Sequence, residues 1–382
     1  MTTTMIVEER SSGHLLVYVR ILAQFAMDRG DRVVVAMPAD VMSSVEFSLH
    51  LAPLEGTVEF VDCSAPLSPK IITGLARTVG ADVTVVPHGD EVATRFALAF
   101  PSKAVGRTRL LIMRDPRWEY PSAPKRLLRN AAKLLLLRIA SARRGLDVIW
   151  LREPSFNPRS GSLFARDPFI GQDNREHIEG AARALRAELS MAPEVFWFGM
   201  TGGITARKNV PLVLEALGKL RESRPGAEIG FATVGPIDGG SGVTSESIAA
   251  ECAAMGVAVL VQDRIIENDE MNAVVLALDS VVMAYSSYSP NSTLGKAYVL
   301  GTRVVAAGPP SVRRFVRALD AGWDSDLEAE SIARSMGSAL DSPEPRAHPG
   351  AISSAEFCRA VIGGLGAPGD ADRAGTRNRG PV

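Results

Sequence analysis

VFWFGMTGGITARKNVPLVLEALGKL, residues Val195–Leu220, decides how this chain folds. An apolar, aromatic-rich run (Val195–Gly199) reads as a strand buried on both faces. A glycine pair, Gly202-Gly203, then turns the chain, and an amphipathic helix starts near Val210. Strand, glycine turn and helix in that order make one unit of a parallel sheet with helices on both sides. The same alternation runs outward in both directions. Downstream, strands are expected at Glu228–Val234, Val257–Val261, Ser280–Ala284 and Val304–Ala307, and a last helix at Ser354–Leu365. Upstream lies a helix at Arg175–Leu189, and before it a separate series of strands: Met5–Glu8, Arg32–Met37, Val58–Val61, Asp82–Pro87, Arg109–Met113 and Asp147–Leu151. Helices at Leu15–Asp28, Pro69–Val79, Glu91–Phe100 and Pro124–Arg144 fill the gaps. Periodicity stops between Arg152 and Asp173, where Pro, Ser, Asn, Gly and Arg dominate, as in a hinge. The expected architecture is α/β, with two doubly wound Rossmann-like domains facing a central cleft. Residues 1–165 would form the first domain, 166–365 the second, and 366–382 a disordered tail.

Composition narrows the chemistry. The 382 residues carry 42 Lys+Arg against 43 Asp+Glu, a net charge of -1, so no global basic field points to nucleic acid. Three widely separated cysteines give neither a disulfide framework nor a CxxC site, which fits a reducing, cytoplasmic compartment. No apolar run reaches membrane-spanning length, and Glu8 and Glu9 interrupt the first strand where a signal peptide would stay apolar. The chain lacks GxGxxG after a strand, GxxxxGK[ST], GxSxG and HExxH, which removes the usual dinucleotide, P-loop, hydrolase-elbow and zinc-protease chemistries. Its five histidines never fall at metal-ligand spacing, so no protein-held metal and no cofactor is expected.

Two segments remain that suit an anion. Gly203 lets backbone approach a ligand, and Arg207-Lys208 puts two cations just before a helix N-terminus, where the macrodipole and free N–H groups also favour negative charge. A solvated basic turn is the alternative reading of the same residues. Further on, a Ser/Asn/Thr-rich loop (Ser286–Thr293) follows a buried strand and feeds the helix of Lys296, a second phosphate-sized nest. Both lie where ligands bind in doubly wound folds, at the carboxyl ends of parallel strands.

FGMTGGITARKN, QDRIIENDEMNAVVLALDSVVMAY and GKAYVLGTRVVAAG, in that order, resemble the GT-B glycosyltransferases, in particular the family-4-like group. The first half resembles the acceptor domain of such enzymes through SSGHLLVYVR, VVPHGD and Asp167-Pro168-Phe169. The resemblance implies a hexosyltransferase, retaining and metal-independent, that moves a sugar from a nucleotide diphosphate donor to a hydroxyl acceptor on a glycan, lipid or small molecule. It implies that Lys208 and Arg207 grip the donor diphosphate and that Ser292, Thr293 and Leu294 hold the distal phosphate. Asp263 and Arg264 would lie by the nucleobase, and Gly13 by the donor phosphates. His88 would stand at the sugar or acceptor side, with His14, Asp90 and Arg114 lining the acceptor. The chain departs from the group where two glutamates usually stand: those positions hold Tyr288 and Lys296, and a usual arginine is Gly203. Lys296 would then add a third cation for the phosphates. The departures also leave open a non-catalytic subunit that binds a partner transferase or a glycan.

KRLLRNAAKLLLLRIASARR (Lys125–Arg144) holds seven cations and no acid. Two readings stand: peripheral contact with anionic lipid, or a solvated outer helix whose leucines cover the sheet.

Overall fold

The computed structural model describes residues 1–11, 15–63, 66–99, 105–114, 116, 124–152, 163–168, 175–287, 292–342 and 353–363. In chain order the first half runs β1 (Thr3–Val7), α1 (Leu15–Asp28), β2 (Arg32–Met37), α2 (Ala39–Met42), α3 (Val45–His50), β3 (Glu59–Asp62), α4 (Pro69–Val79), β4 (Val83–Val86), α5 (Asp90–Leu98), β5 (Arg107–Ile112), α6 (Pro124–Ser141), β6 (Leu146–Arg152) and β7 (Phe164–Arg166). The second half runs α7 (Arg175–Glu188), β8 (Phe196–Thr201), α8 (Val210–Ser223), β9 (Ile229–Val234), α9 (Ser245–Ala254), β10 (Ala258–Gln262), α10 (Asn268–Ala277), β11 (Ser280–Ala284), α11 (Ser292–Leu300), β12 (Arg303–Ala307), α12 (Pro310–Leu319), β13 (Gly322–Ser325), α13 (Ala329–Leu340) and α14 (Ser354–Ile362).

The strands form two sheets, β3-β2-β1-β4-β5-β6-β7 and β10-β9-β8-β11-β12-β13. Every described strand pair is parallel. Alternate residues of each strand enter different cores. Ile6, Val33, Val35 and Val85 pack against α1 and α3 on one face, while Met5, Val34, Ala36 and Val86 pack with residues of α4 to α6 on the other. Such two-sided burial is why these strands read as continuous apolar runs. Capping chemistry sets helix starts: the Ser68 hydroxyl accepts from Ile71 N at 3.3 Å before Pro69 opens α4.

Both sheets have the doubly wound order, in which the winding direction reverses beside the first strand. The reversal lies between β1 and β4 in one sheet and between β8 and β11 in the other. This agrees with the expected α/β architecture of two Rossmann-like units. Some details differ, among them the edge strand β13, which was not expected. Phe164–Arg166, inside the segment read as a hinge, adds an edge strand to β6 (Leu151 pairs with Ala165), and three residues are too few to show a period. The basic helix ends at Ser141. The last helix, assigned from sequence to the second domain, packs on the first sheet instead. There Phe357 stacks near Tyr18 at 5.1 Å, and Arg109 donates to the Ala360 and Val361 carbonyls at 3.3 and 3.1 Å. Phe357, Val361 and Ile362 are apolar enough to belong to either core, so periodicity alone could not assign them. The expected tail, 366–382, lies outside the described residues.

Candidate functional site

Thr201 ends β8 and is followed by Gly202 at φ +73°, a left-handed conformation that glycine adopts without strain. The backbone here is crowded: a Cβ on Gly235, at the end of β9, would stand 2.6 Å from the Gly202 carbonyl carbon. The loop is also tied to the neighbouring strand ends. Ile204 N donates to Pro236 O at 2.8 Å, Asp238 N donates to Ile204 O at 2.9 Å, and Ile237 N donates to the Asp263 carboxylate at 2.8 Å. Gly203 differs from Gly202 in facing open space, since a Cβ there would meet nothing within 4 Å.

Ala206–Lys208 form one short 3-10 turn, and Asn209 then sits at φ +49°. Asparagine tolerates that conformation better than most residues. Its side-chain amide donates to Ala284 O at 2.7 Å and to Arg207 O at 3.1 Å, and Ser286 N donates to Arg207 O at 2.9 Å. These bonds fasten the basic turn to the end of β11, across the reversal point of the second sheet. The Arg207 guanidinium lies over the Tyr285 ring, 4.6 Å from its centroid.

Lys208 is buried. Its Nζ donates to Thr201 O and, at 2.9 Å, to Gly202 O. Burial first, and then the Arg207 charge, push its pKa down to about 7. The amine therefore sits under the glycine loop with carbonyl oxygens alone as its hydrogen-bond partners among the described residues. On the other side of the reversal, α11 begins at Ser292 with Thr293 and Leu294 buried behind it. The Thr293 and Thr201 hydroxyls lie 3.5 Å apart. The two anion-suited segments of the sequence, 80 residues apart in the chain, therefore meet at one place.

Other expected residues stand elsewhere. Lys296, one turn into α11, is buried and donates to Asn268 Oδ1 at 2.8 Å and to Asn272 Oδ1, both on α10. Burial pushes its pKa down to about 7 as well. These contacts brace α10 against α11. Asp263 is held by Ile237 N, and exposed Arg264 forms a two-pronged pair with Glu270, one contact at 3.0 Å. The structure thus uses both in shaping the loop after β10.

In the first sheet, His88 lies half-buried just past β4, and burial pulls its pKa below the usual 6.5. Arg114 is exposed just past β5, the neighbouring strand. Asp90 is buried and fully engaged: it accepts from Met113 N at 2.9 Å, Arg114 N at 3.1 Å and Lys133 Nζ at 3.0 Å. A carboxylate with three such partners is a fastener between α5, the end of β5 and α6. Gly13, His14 and Tyr288 lie outside the described residues.

Sequence reasoning missed Glu8. It follows β1 directly at the reversal of the first sheet, buried, with Oε1 accepting from Glu9 N and Arg10 N at 3.0 Å each. Its Oε2 has no hydrogen-bond partner among the described residues, and burial raises its pKa to about 8. The available signal was an acid closing the first buried strand. Among the described residues no group of three or more His, Cys, Asp or Glu could hold a metal ion, and no helix is long and apolar enough to cross a membrane.

No family model and no curated protein sequence matches the chain. Solved structures do. The structure of HepE from Anabaena in complex with UDP and glucose superposes with a TM-score of 0.58 at 13% identity, covering 95% of each chain. WaaG, a glycosyltransferase involved in lipopolysaccharide biosynthesis, gives 0.60 at 13% identity over 99% of this chain and 100% of that one. Sucrose-phosphate synthase from Thermosynechococcus elongatus gives 0.63 at 14% identity over 95% of each. The likeness spans both sheets, and the fold is GT-B.

Proposed function

We propose that the protein is a glycosyltransferase that moves a sugar from a nucleoside diphosphate donor to a hydroxyl acceptor. The observation that supports this best is the meeting of the Gly202-Gly203 loop, the Arg207-Lys208 turn and the start of α11 at the β8/β11 reversal. Open space at Gly203, two cations and a helix N-terminus suit a diphosphate. The neighbours at this fold include complexes with UDP and with glucose, which adds to the same reading.

In this reading Arg207 and Lys208 neutralise the diphosphate and the N–H groups of Ser292, Thr293 and Leu294 receive the distal phosphate. As the bond from the sugar C1 to the diphosphate oxygen breaks, these groups stabilise the charge on the leaving oxygen. The acceptor oxygen bonds to C1 and its proton passes to the departing diphosphate oxygen, which balances the step without a base from the protein. His88, neutral at pH 7, takes a hydroxyl of sugar or acceptor on the opposite side, with Arg114 beside it. Asp263 and Arg264 shape the base-side loop. Retention of the anomeric configuration belongs to the same proposal, and the anomer of the first product, read by NMR, decides it.

The direct test is thermal unfolding with UDP, GDP, TDP or ADP and their sugars. A ligand at about 100 times its dissociation constant adds about 2.7 kcal/mol to a native state that alone binds it. One nucleoside diphosphate should shift the transition, and Lys208→Met should abolish the shift. No shift with any of the four overturns the proposal.

A further inference from the structure

Sugar transfer leaves the basic helix α6 without a task. Its inner side is well secured: Lys133 reaches Asp90, Arg143 just beyond the helix donates to Ala97 O at 2.8 Å, Asn130 donates to Pro116 O at 3.1 Å, and Leu137 and Ala140 are buried. Its outer side is unusual. Leu127, Leu128, Leu135 and Ile139 are 57%, 75%, 59% and 41% exposed, which removes the simple reading of leucines covering the sheet. At about 100° per residue these four side chains share an arc of about 120°, with Arg138 inside it and Arg129 outside. Exposed Arg144 follows the helix, and no acid occurs from Pro124 to Gly145. An outer helix of an α/β protein normally shows water a polar face. Four large apolar residues in one arc call for a partner.

We propose that α6 is a docking face for an anionic lipid bilayer, with the leucine arc at the boundary of headgroups and acyl chains and the arginines against lipid phosphates. Charge selects this partner over a second copy of the chain, because α6 carries no acid of its own and self-association through it would set one basic helix against another. A surface carrying anionic lipid supplies both an apolar layer and negative charge. The position of α6 gives the docking a consequence. Lys133 and Asp90 bind it to the start of α5 and the end of β5, the same sheet end that carries His88 and Arg114. Resting on the proposed transferase activity, this places the acceptor side at the bilayer, so the acceptor is a hydroxyl on a membrane-anchored molecule.

The test is flotation of the full chain with vesicles of phosphatidylcholine plus phosphatidylglycerol and with phosphatidylcholine alone. The protein should float with the mixed vesicles only, and added salt should release it. Leu128→Glu with Leu135→Glu should abolish flotation, and Arg138→Gln should weaken it about fivefold, the equivalent of about 1 kcal/mol for one cation near the surface. These side chains are exposed, so the unfolding midpoint and any nucleotide-induced shift should stay at wild-type values. Absence of flotation, equal flotation with neutral vesicles, or flotation of the double variant overturns the proposal. So does a concentration-dependent dimer that the double variant dissolves while no vesicle binds. Flotation without a nucleotide shift would leave the docking face standing and remove the transferase reading.

Discussion

Replacing Lys208 by methionine keeps the apolar stem and removes the amine. Burial takes the pKa from an ordinary 10.5 to about 7. At about 1.4 kcal/mol per pH unit, holding a proton there below pH 7 costs on the order of 5 kcal/mol. Against that, the variant strips a hydrogen-bond donor from Thr201 O and Gly202 O, about 1–3 kcal/mol for each. The opposing contributions are of equal size, so Lys208→Met should leave unliganded stability within about 2 kcal/mol of wild type near pH 7. The pH dependence is sharper. Above about 7 the native amine is neutral while the unfolded chain keeps its proton up to 10.5. The unfolded state then binds more protons, so this lysine makes wild-type stability rise with pH across that window. Methionine does not titrate. The stability of wild type minus that of the variant should therefore grow by more than about 1 kcal/mol from about pH 7.5 to about pH 8.5. Contributions of other groups titrating there, such as Glu8 at about 8 and Lys296 at about 7, cancel in the difference. Urea unfolding followed by circular dichroism at the two pH values measures it. A difference independent of pH would refute the reasoning, because it would mean that native Lys208 keeps its proton. The same argument reaches the ligand. A diphosphate that replaces two carbonyls as the partner of Lys208 recharges the amine, so binding near pH 8 should take up close to one proton. Calorimetry in two buffers of different ionisation heat reads that uptake, and Lys208→Met should lose it.

Gly203→Ala should fold with stability within about 0.5 kcal/mol of wild type, since its Cβ meets no atom of the protein. It should nevertheless weaken nucleoside diphosphate binding about tenfold by filling space meant for ligand; unchanged affinity in a titration would place the diphosphate elsewhere. Asn209→Ala removes the amide that joins Arg207 O to Ala284 O and puts alanine at φ +49°, so urea unfolding should show a loss of about 2–3 kcal/mol. Asp90→Ala leaves two backbone N–H groups unpaired and takes the carboxylate from Lys133, and should cost about 3 kcal/mol by the same measurement. A loss of acceptor affinity in Asp90→Ala with stability unchanged would place that residue in the acceptor set.

The architecture was legible because parallel strands buried on both faces leave a strong local trace. RVVVAM at Arg32–Met37 and SVVMA at Ser280–Ala284 read as strands with their observed limits. Edge strands leave little, and GWDS at Gly322–Ser325 shows neither a run nor an alternation. The glycine turn and the basic pair before α8 were legible as the loop of a β-α unit, because the chain turns there through a left-handed conformation that glycine adopts without strain. What local sequence could not supply was the direction of a long side chain. Lys208 and Lys296 each sit within one turn of a helix start, yet one reaches loop carbonyls and the other side-chain amides on a neighbouring helix.

That difference separates two buried lysines with the same pKa of about 7. The partners of Lys208 are backbone oxygens of a loop that borders open space at Gly203, and a bound anion can take their place without unmaking the fold. Lys296 has Asn268 and Asn272, whose helix α10 shares an apolar core with α11, so a ligand cannot compete for it without parting two helices. The asymmetry matters for the departure at position 296. In the proposed reading, a lysine that braces α11 from behind fixes the direction in which the N–H groups of Ser292, Thr293 and Leu294 point, and so would serve a phosphate without touching it. Lys296→Met should then preserve the helix and the fold through apolar packing, while Lys296→Ala, which opens a cavity beside Asn272, should loosen the start of α11. If both variants weakened nucleotide binding equally with stability unchanged, direct contact would be the better account.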